Sequence, residues 1–175
     1  MRSWLICIAA LCLAACGGMQ EVSGPPETLG PRLQSFAANG RISLRQGERS
    51  DHLQFDWQHA PERDVVLFSS PLGQGLAELG RDTAGAWLVV PGKPERRAPD
   101  LDSLARRLFG APLPLEVLAE WLRGAQPGLV GEVEGWRIVV SETALVGPRR
   151  LPRRLEARRD DIELKIVIDG WDDGD

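Results

Sequence analysis

The sequence predicts an α+β fold in which two helices cover one face of an antiparallel sheet. Strand patterns occur between residues 42 and 90, where two runs alternate and residues 64–70 are apolar on both faces; apolar residues recur at helical spacing over 100–124, and strand patterns return over 136–169. Strands on either side of a helical pair favour a single antiparallel sheet with the helices gathered on one face. A strongly curved sheet covered in this way would enclose an apolar space, where a ligand site is expected.

The first group of strands follows the N-terminal segment. Leu53, Phe55 and Trp57 alternate with polar residues, which is typical of a half-buried strand. Gly47 and Glu48 separate this strand from the preceding one and indicate a hairpin turn. Further strands are expected at residues 64–70, 76–80 and 86–90.

Two helices are predicted in the middle of the chain. The first lies between Asp100, which is suited to cap its start, and Gly110, which is suited to end it. The second begins at Pro114, a residue favoured at the first helical position, and ends before Gly124. Strands resume at residues 136–140 and 155–157, and a final strand occupies residues 162–169.

The N-terminal segment has the composition of a secretory signal. Arg2 precedes an apolar run from Trp4 to Ala15, which is shorter than the roughly 20 residues that span a bilayer. Because Cys16 follows Leu-Ala-Ala directly, the junction resembles the lipobox of bacterial lipoproteins. Residues 1–15 are therefore interpreted as a lipoprotein signal peptide. The alternatives are an uncleaved apolar tail and a plain signal peptide that is cut beside Ala15.

Cysteine usage supports lipidation of Cys16. Cys7 and Cys12 lie in the predicted signal peptide, so the mature chain has one cysteine and cannot form an internal disulfide. In the sorting scheme that the lipobox resembles, an Asp after the cysteine favours inner-membrane retention, and Gly17 and Gly18 stand there instead. We therefore expect an outer-membrane protein at the periplasmic face, anchored by acyl groups such as palmitate on Cys16.

The mature chain is predicted to be a tether followed by one domain. Residues 16–31 form the acylated N-terminus and a flexible tether, because Gly and Pro are frequent and no apolar periodicity is present. A short helix is expected to begin at Pro31 and to carry Leu33 and Phe36. Residues 32–175 form the domain, which is long enough for a substantial core.

The charge of the chain argues against nucleic-acid binding. The net charge is −4, and removal of the signal peptide removes only Arg2 among the charged residues. Nucleic-acid binders are usually basic overall, so no nucleic acid is expected as a partner. Arginines cluster between Arg149 and Arg159, where neighbouring carboxylates partly balance them. A solvated strand edge is the favoured interpretation, and an acidic partner or anionic head groups are the alternative.

The sequence offers little support for catalysis. His52 and His59 flank one strand, where surface polar positions explain both. A G-x-S-x-G nucleophile elbow is absent, and the mature chain lacks the cysteine and histidine spacing of a metal site. The Asp160-Asp161 pair lies in a charged turn. We therefore expect no enzyme activity, no metal and no cofactor.

Tryptophans and one leucine are the features that suggest lipid handling. The tryptophans of the mature chain fit ordinary core packing, and they also fit an apolar wall for acyl chains. Leu72 lies in the turn Ser70-Pro71-Leu72-Gly73, which has Pro at the second and Gly at the fourth position. This turn places an apolar side chain near a loop tip, although isolated surface leucines are common.

Taken in order, these motifs resemble the LolB family of outer-membrane lipoprotein receptors. The matching features are the lipobox at Cys16, Gly40-Arg41-Ile42, Phe55-Asp56-Trp57-Gln58, Ser70-Pro71-Leu72-Gly73, Ala98-Pro99-Asp100, Leu113-Pro114-Leu115, Trp121-Leu122-Arg123-Gly124, Gly135-Trp136, Leu151-Pro152 and Trp171. Together they cover nearly the whole mature chain. Each motif is weak alone, and the ordered set is fairly specific.

The resemblance implies a fold and a function. The fold is an incomplete, curved antiparallel half-barrel with a helical lid over a hydrophobic cavity. The function is to accept acylated lipoproteins from a soluble, LolA-like periplasmic carrier and to insert them into the inner leaflet of the outer membrane. By position, Leu72 corresponds to the loop leucine to which that family assigns membrane insertion. The candidate residues of the acyl-chain cavity are Phe55, Trp57, Leu67, Leu118, Trp121, Leu122, Trp136 and Trp171.

The chain departs from the family pattern in three respects. The segment between Gly124 and Trp136 is short, so a strand of the family is expected to be missing there. Gly30 and Pro31 shorten the first helix, and tyrosine is absent from the whole chain. A monomer that contacts carrier, clients and phospholipid is expected. A structural accessory lipoprotein of an outer-membrane assembly machine, without a lipid cavity, remains the alternative function.

Overall fold

The computed structural model describes residues 29–126 and 128–172. The predicted signal peptide, Cys16 and most of the predicted tether therefore lie outside the described residues. Within the described ranges, every buried apolar residue of the core lies at or after Leu33. A chain that begins at Gly17 thus retains every described element and the whole of this core.

The described residues form one sheet and two helices. The strands are β1 (Phe36–Gln46), β2 (Arg49–Ala60), β3 (Arg63–Ser69), β4 (Gly75–Asp82), β5 (Gly85–Val89), β6 (Arg96–Ala98), β7 (Val130–Val133), β8 (Trp136–Val146), β9 (Arg149–Arg159) and β10 (Ile162–Asp172), and the helices are α1 (Leu101–Phe109) and α2 (Leu115–Leu122). All strands join an antiparallel sheet in the order β6-β5-β4-β3-β2-β1-β10-β9-β8-β7. The sheet is open, which confirms the predicted α+β class and the incomplete closure.

The first and last strands hold the two arms of the sheet together. β1 pairs with β2 on one side and with β10 on the other, and the pairing with β10 extends from Ala37 opposite Asp172 to Gln46 opposite Ile162. A bulge between Asn39 and Gly40 interrupts this pairing. One arm continues from β2 to β6, and the other from β10 to β7. The core forms where the inward side chains of both arms meet the helices.

The helices form for the reasons that the sequence indicates. Asp100 caps α1, since its Oδ1 accepts a hydrogen bond of 2.7 Å from the backbone N–H of Ser103. Gly110 adopts a left-handed conformation, with φ of 76°, and ends the helix. α1 packs on β4, β5 and β6, while α2 contacts β9. Each helix therefore covers a different arm of the sheet.

Two predictions about the chain trace are wrong. The helix expected from Pro31 is absent, because residues 31–35 are not helical and Phe36 begins β1. Leu33 is instead buried and donates its backbone N–H to the carbonyl of Arg123 at 2.8 Å. The strand expected to be missing before Trp136 is present as β7, which pairs with β8. Four residues suffice for it because it is an edge strand that needs one partner.

Asp64, a buried carboxylate in β3, bonds to side chains of β2 and β4 near the turn that joins β2 to β3. Asp64 Oδ1 accepts a hydrogen bond from Trp57 Nε1 at 2.9 Å and lies 2.7 Å from His59 Nδ1, while Oδ2 accepts from Arg81 Nε at 2.7 Å. His59 is buried, contrary to the surface position expected from the sequence. Burial alone would raise the pKa of Asp64, but the hydrogen bonds from His59 and Trp57 and the Arg81 charge more than offset it and lower that pKa.

Replacement of Asp64 with Asn should destabilise the protein by about 3 kcal/mol at neutral pH, because Arg81 and His59 lose a buried partner. The pKa of Asp64 is lower in the folded state than in the unfolded state. The stabilisation is therefore full above the unfolded pKa of about 3.9 and is lost as the pH falls through the folded value.

Urea unfolding at a series of pH values measures this effect. Asp56, an exposed carboxylate on the opposite face of β2, gives the control Asp56→Asn with the same change of charge. Equal destabilisation by the two variants at neutral pH would contradict the role of the buried network.

Candidate functional site

The turn between β3 and β4 presents one apolar side chain to solvent. Leu72 is 97% exposed at the tip of the predicted turn. The turn is ordered by hydrogen bonds, since Gly73 N–H donates to the Ser70 carbonyl and Ser70 N–H donates to the Gln74 carbonyl, each at 2.8 Å. Gln54 Nε2 also donates to the Pro71 carbonyl at 3.3 Å, which ties the turn to β2. The exposed leucine is therefore held on a structured support.

Two further leucines flank this turn. Leu67 in β3 is 45% exposed and Leu76 in β4 is 37% exposed. Both lie on the outer face, because the inward positions of these strands belong to Val66 and Phe68 in β3 and to Ala77 in β4. Leu67 was expected among the cavity residues. The alternation of β3 places it instead on the side of the sheet away from the core.

The Leu72 turn and the start of the domain lie on opposite sides of the middle of β1 and β2. Phe36 at the start of β1 pairs with His59, whereas Gln46 at its end pairs with Arg49. The Leu72 turn follows Ser69, which pairs with Gln54 in the half of β2 nearer Arg49. The 11 residues of β1 extend over roughly 36 Å. The chain therefore enters the domain far from the exposed leucine.

The other predicted cavity residues come together in the interior. Six of them are buried in the single core cluster, and Trp171 packs against that cluster while remaining partly exposed. The six are Phe55, Trp57, Leu118, Trp121, Leu122 and Trp136. They come from β2, α2 and β8, so the tertiary structure unites side chains that are up to 81 positions apart in the chain. Trp171 also packs edge-on against Phe36, with ring centroids 5.5 Å apart.

Trp121 is one of the residues in this interior with a buried polar atom that has no hydrogen-bond partner among the described residues. Trp121 is 1% exposed, and its indole Nε1 makes no hydrogen bond to the described residues. The ring lies under β7, where a Cβ atom on Gly131 would be only 2.9 Å from Trp121 Cζ2. A buried N–H group without an acceptor is energetically unfavourable. The indole N–H of Trp121 is thus a donor that an incoming acceptor could satisfy.

A second unusual carboxylate lies in the helical layer. Burial, together with the neighbouring charges of Glu116, Asp100 and Glu134, raises the pKa of Asp102 to about 6, although a hydrogen bond from the Leu115 backbone opposes the shift. Asp102 belongs to α1 and Leu115 begins α2, so this group joins the two helices. No pattern in the sequence indicated the position of Asp102.

Other site types have no counterpart in the part of the chain that is described. Residues 29–126 and 128–172 contain no group of three or more His, Cys, Asp and Glu side chains placed to hold a metal ion. No helix in these ranges is both long enough and apolar enough to cross a membrane.

Comparison with known proteins decides the family. The family model described as "Outer membrane lipoprotein LolB" matches residues 34–171. The chain belongs to the LolB family. Outer-membrane lipoprotein LolB of Chromobacterium violaceum is 33% identical over 180 residues, covering 98% of this chain and 99% of that protein. The protein of the same name from Thiobacillus denitrificans is 34% identical over 184 residues, covering 95% and 96%.

Solved structures show that the LolB fold is shared more widely. A LolA superfamily protein from Nitrosomonas europaea superimposes with a TM-score of 0.53 at 10% identity, over 81% of this chain and 86% of that one. A DUF1329 family protein from Desulfovibrio piger gives a TM-score of 0.54 at 11% identity, over 79% and 85%. At these identities the likeness concerns the fold alone.

Replacement of Asp102 with Asn should raise the melting temperature above pH 6 and leave it unchanged below about pH 4. The pKa of Asp102 is about 6 in the folded protein, against about 3.9 in the unfolded chain. The native protein therefore loses stability as rising pH ionises Asp102, and Asn removes this loss. Thermal unfolding across this range measures it. Asp161→Asn, at an exposed turn position, is the control; an identical pH profile for both variants would contradict the expectation.

Proposed function

We propose that this protein is an outer-membrane lipoprotein that receives acylated lipoproteins from a LolA-like periplasmic carrier and inserts them into the inner leaflet of the outer membrane. In this proposal it is anchored at the periplasmic face through acyl groups on Cys16 and acts as a monomer. Membership of the LolB family supports the assignment. The observation that carries it is Leu72, a 97% exposed leucine on an ordered turn.

The interior would accept the acyl chains of the client. Each methylene that leaves water contributes about 0.8 kcal/mol, so apolar area can drive transfer without an energy source. The candidate cavity residues are packed in the core, so acyl chains could enter only if α1 and α2 moved away from the sheet. The two helices would then act as the lid of the acyl-chain cavity. Trp121 Nε1, which has no acceptor among the described residues, would donate to an ester carbonyl of the bound lipid.

The turn would act at the final step. Burial of a leucine side chain in an apolar phase contributes about 1.5–3 kcal/mol, which suffices to hold the turn transiently in the membrane interface. Leu67 and Leu76 extend the apolar surface behind it. Entry of Leu72 between lipids would bring the interior close to the leaflet and lower the barrier to release of the client.

The anchor and the turn can reach the same membrane. Cys16 and Leu29 are 13 positions apart, and a fully extended chain of this length spans roughly 45 Å. This reach exceeds the roughly 36 Å length of β1, and Ser69, which leads into the Leu72 turn, lies level with Arg41 in the middle of that strand. An anchored domain could therefore place the turn against the leaflet that holds its own acyl groups.

Leu72→Glu should leave acceptance from the carrier unchanged and slow insertion at least tenfold, because a carboxylate cannot enter the apolar phase without a large desolvation cost. Transfer of a labelled lipoprotein from carrier to receptor, and then from receptor to vesicles, measures the two steps separately. Leu145 is 70% exposed in β8 and provides the matched control Leu145→Glu. Full insertion by Leu72→Glu would overturn the role of the turn.

Acyl binding distinguishes the proposed receptor from a structural accessory lipoprotein. The chain that begins at Gly17 should bind a fluorescent acylglycerol, and Trp121→Phe should weaken this binding about fivefold by removing one hydrogen bond. Binding of a purely hydrocarbon probe should not change in that variant. Trp87→Phe is the control, since Trp87 Nε1 already donates to Glu78 at 3.0 Å. Absence of binding for both probes would favour the accessory role.

A further inference from the structure

A row of side chains crosses the outer face of the sheet from the Leu72 turn. Gln54 in β2 pairs with Arg41 in β1, Arg41 pairs with Val167 in β10, and Val167 pairs with Arg154 in β9. Residues that are directly opposite in adjacent strands point to the same face. Gln54 also donates a hydrogen bond to the Pro71 carbonyl, so the row begins beside the Leu72 turn.

A groove of about 440 Å³ runs along this row, here called the outer groove. Its wall includes Pro71 of the turn and the side chains of Arg41, Arg154 and Lys165. The residues that line it include these three cations and no carboxylate. The protein as a whole carries a net charge of −4, so a generally basic composition does not explain this concentration of positive charge.

Carboxylates outside the groove hold the three cations in position. Arg41 donates to Asp169 through Nε and Nη2, at 3.0 and 2.9 Å. Lys165 Nζ lies 3.2 Å from Glu163, and Arg154 Nε lies 3.5 Å from a Glu142 oxygen. These contacts use the edges of the cationic groups and leave further N–H donors on each, since a guanidinium has five and an ammonium three.

The outer groove combines the properties that a phosphate diester requires. Fixed cations supply charge and hydrogen-bond donors, and Ser43 and His52 add polar groups between them. Each cation has a carboxylate partner, but Asp169, Glu163 and Glu142 lie outside the residues that line the groove, so the lining itself is cationic. Because Pro71 lines the outer groove, the groove lies beside Leu72, the residue that is proposed to enter the membrane.

We propose that the outer groove binds the phosphate head group of an anionic phospholipid while Leu72 is inserted in the same leaflet. This inference rests on the proposed function, because it needs the turn at a membrane surface. The turn and the groove contribute separately to the free energy of membrane binding: the turn through buried apolar area and the groove through its positive charge. Together they fix which face of the sheet meets the leaflet when a client is released.

Sedimentation with vesicles tests the proposal, using the chain that begins at Gly17. One set of vesicles contains phosphatidylcholine alone, and the other contains phosphatidylcholine mixed with phosphatidylglycerol. The native chain should bind the mixed vesicles more tightly. The double variant Arg41→Gln, Lys165→Gln should bind the mixed vesicles about thirtyfold more weakly, because each basic residue near an anionic surface contributes about 1 kcal/mol. Its binding to phosphatidylcholine vesicles should remain unchanged.

A matched double variant, Arg32→Gln with Arg63→Gln, removes the same charge at the opposite end of the sheet. Both residues are exposed there, before β1 and at the start of β3. This control should retain the preference for mixed vesicles. Equal weakening by both double variants, or no preference in the native chain, would overturn the groove as a head-group site.

The same experiment separates the two proposals. Leu72→Glu should weaken binding to both kinds of vesicle, because it removes the apolar term. Native-like binding of Leu72→Glu to both would contradict the proposed role of the turn. In that case the groove would still be supported as a head-group site if the Arg41 and Lys165 double variant lost the preference for mixed vesicles and the control double variant kept it.

Discussion

The pairing of β1 with β10 is the constraint on which the rest of the structure depends. It joins the first and last strands of the described domain, pairing residues that are 116 to 135 positions apart in the chain, and so connects two arms that would otherwise be separate meanders. Gly40 lies at its bulge, where a Cβ atom would overlap the Val167 carbonyl and press on the Phe55 ring. The close approach needs glycine for this steric reason. The core, the packing of Trp171 on Phe36 and the row through Arg41 all follow from this pairing.

Two carboxylates, the buried Asp64 and the half-buried Asp102, have opposite effects on the stability of the domain at neutral pH. Both carboxylate oxygens of Asp64 accept hydrogen bonds, and these bonds link β2, β3 and β4 and favour the ionised form of Asp64. Asp102 has one oxygen without a partner in the described residues, and burial raises its pKa to about 6. It lies between the helices. The sheet is therefore the more firmly determined layer, and the helical layer carries an ionisable group that destabilises its packing at neutral pH.

In the proposed function the two faces of the sheet have different tasks. The inner face and helices would handle the acyl chains, where apolar area matters and Trp121 offers one donor. The outer face near Leu72 would meet the membrane, where an ordered turn and a cationic groove lie side by side. Alternation within the strands separates these tasks, because successive side chains point to opposite faces. A client could thus leave the interior at the end of the domain that contacts lipid.

Local patterns in the sequence were enough to predict much of this molecule. Alternation located β2 and β10, the Asp100 cap and Gly110 delimited α1, the Ser70–Gly73 turn was placed correctly, and the ordered motifs identified the family. These features depend on neighbours within a few positions. The tertiary structure alone decided that Leu67 points outwards, that His59 is buried beside Asp64, that Phe36 begins a strand, and that Arg41, Lys165 and Arg154 meet in one groove. Alternation assigns residues to two faces, but strand pairing across the whole chain determines which face is buried and which residues become neighbours.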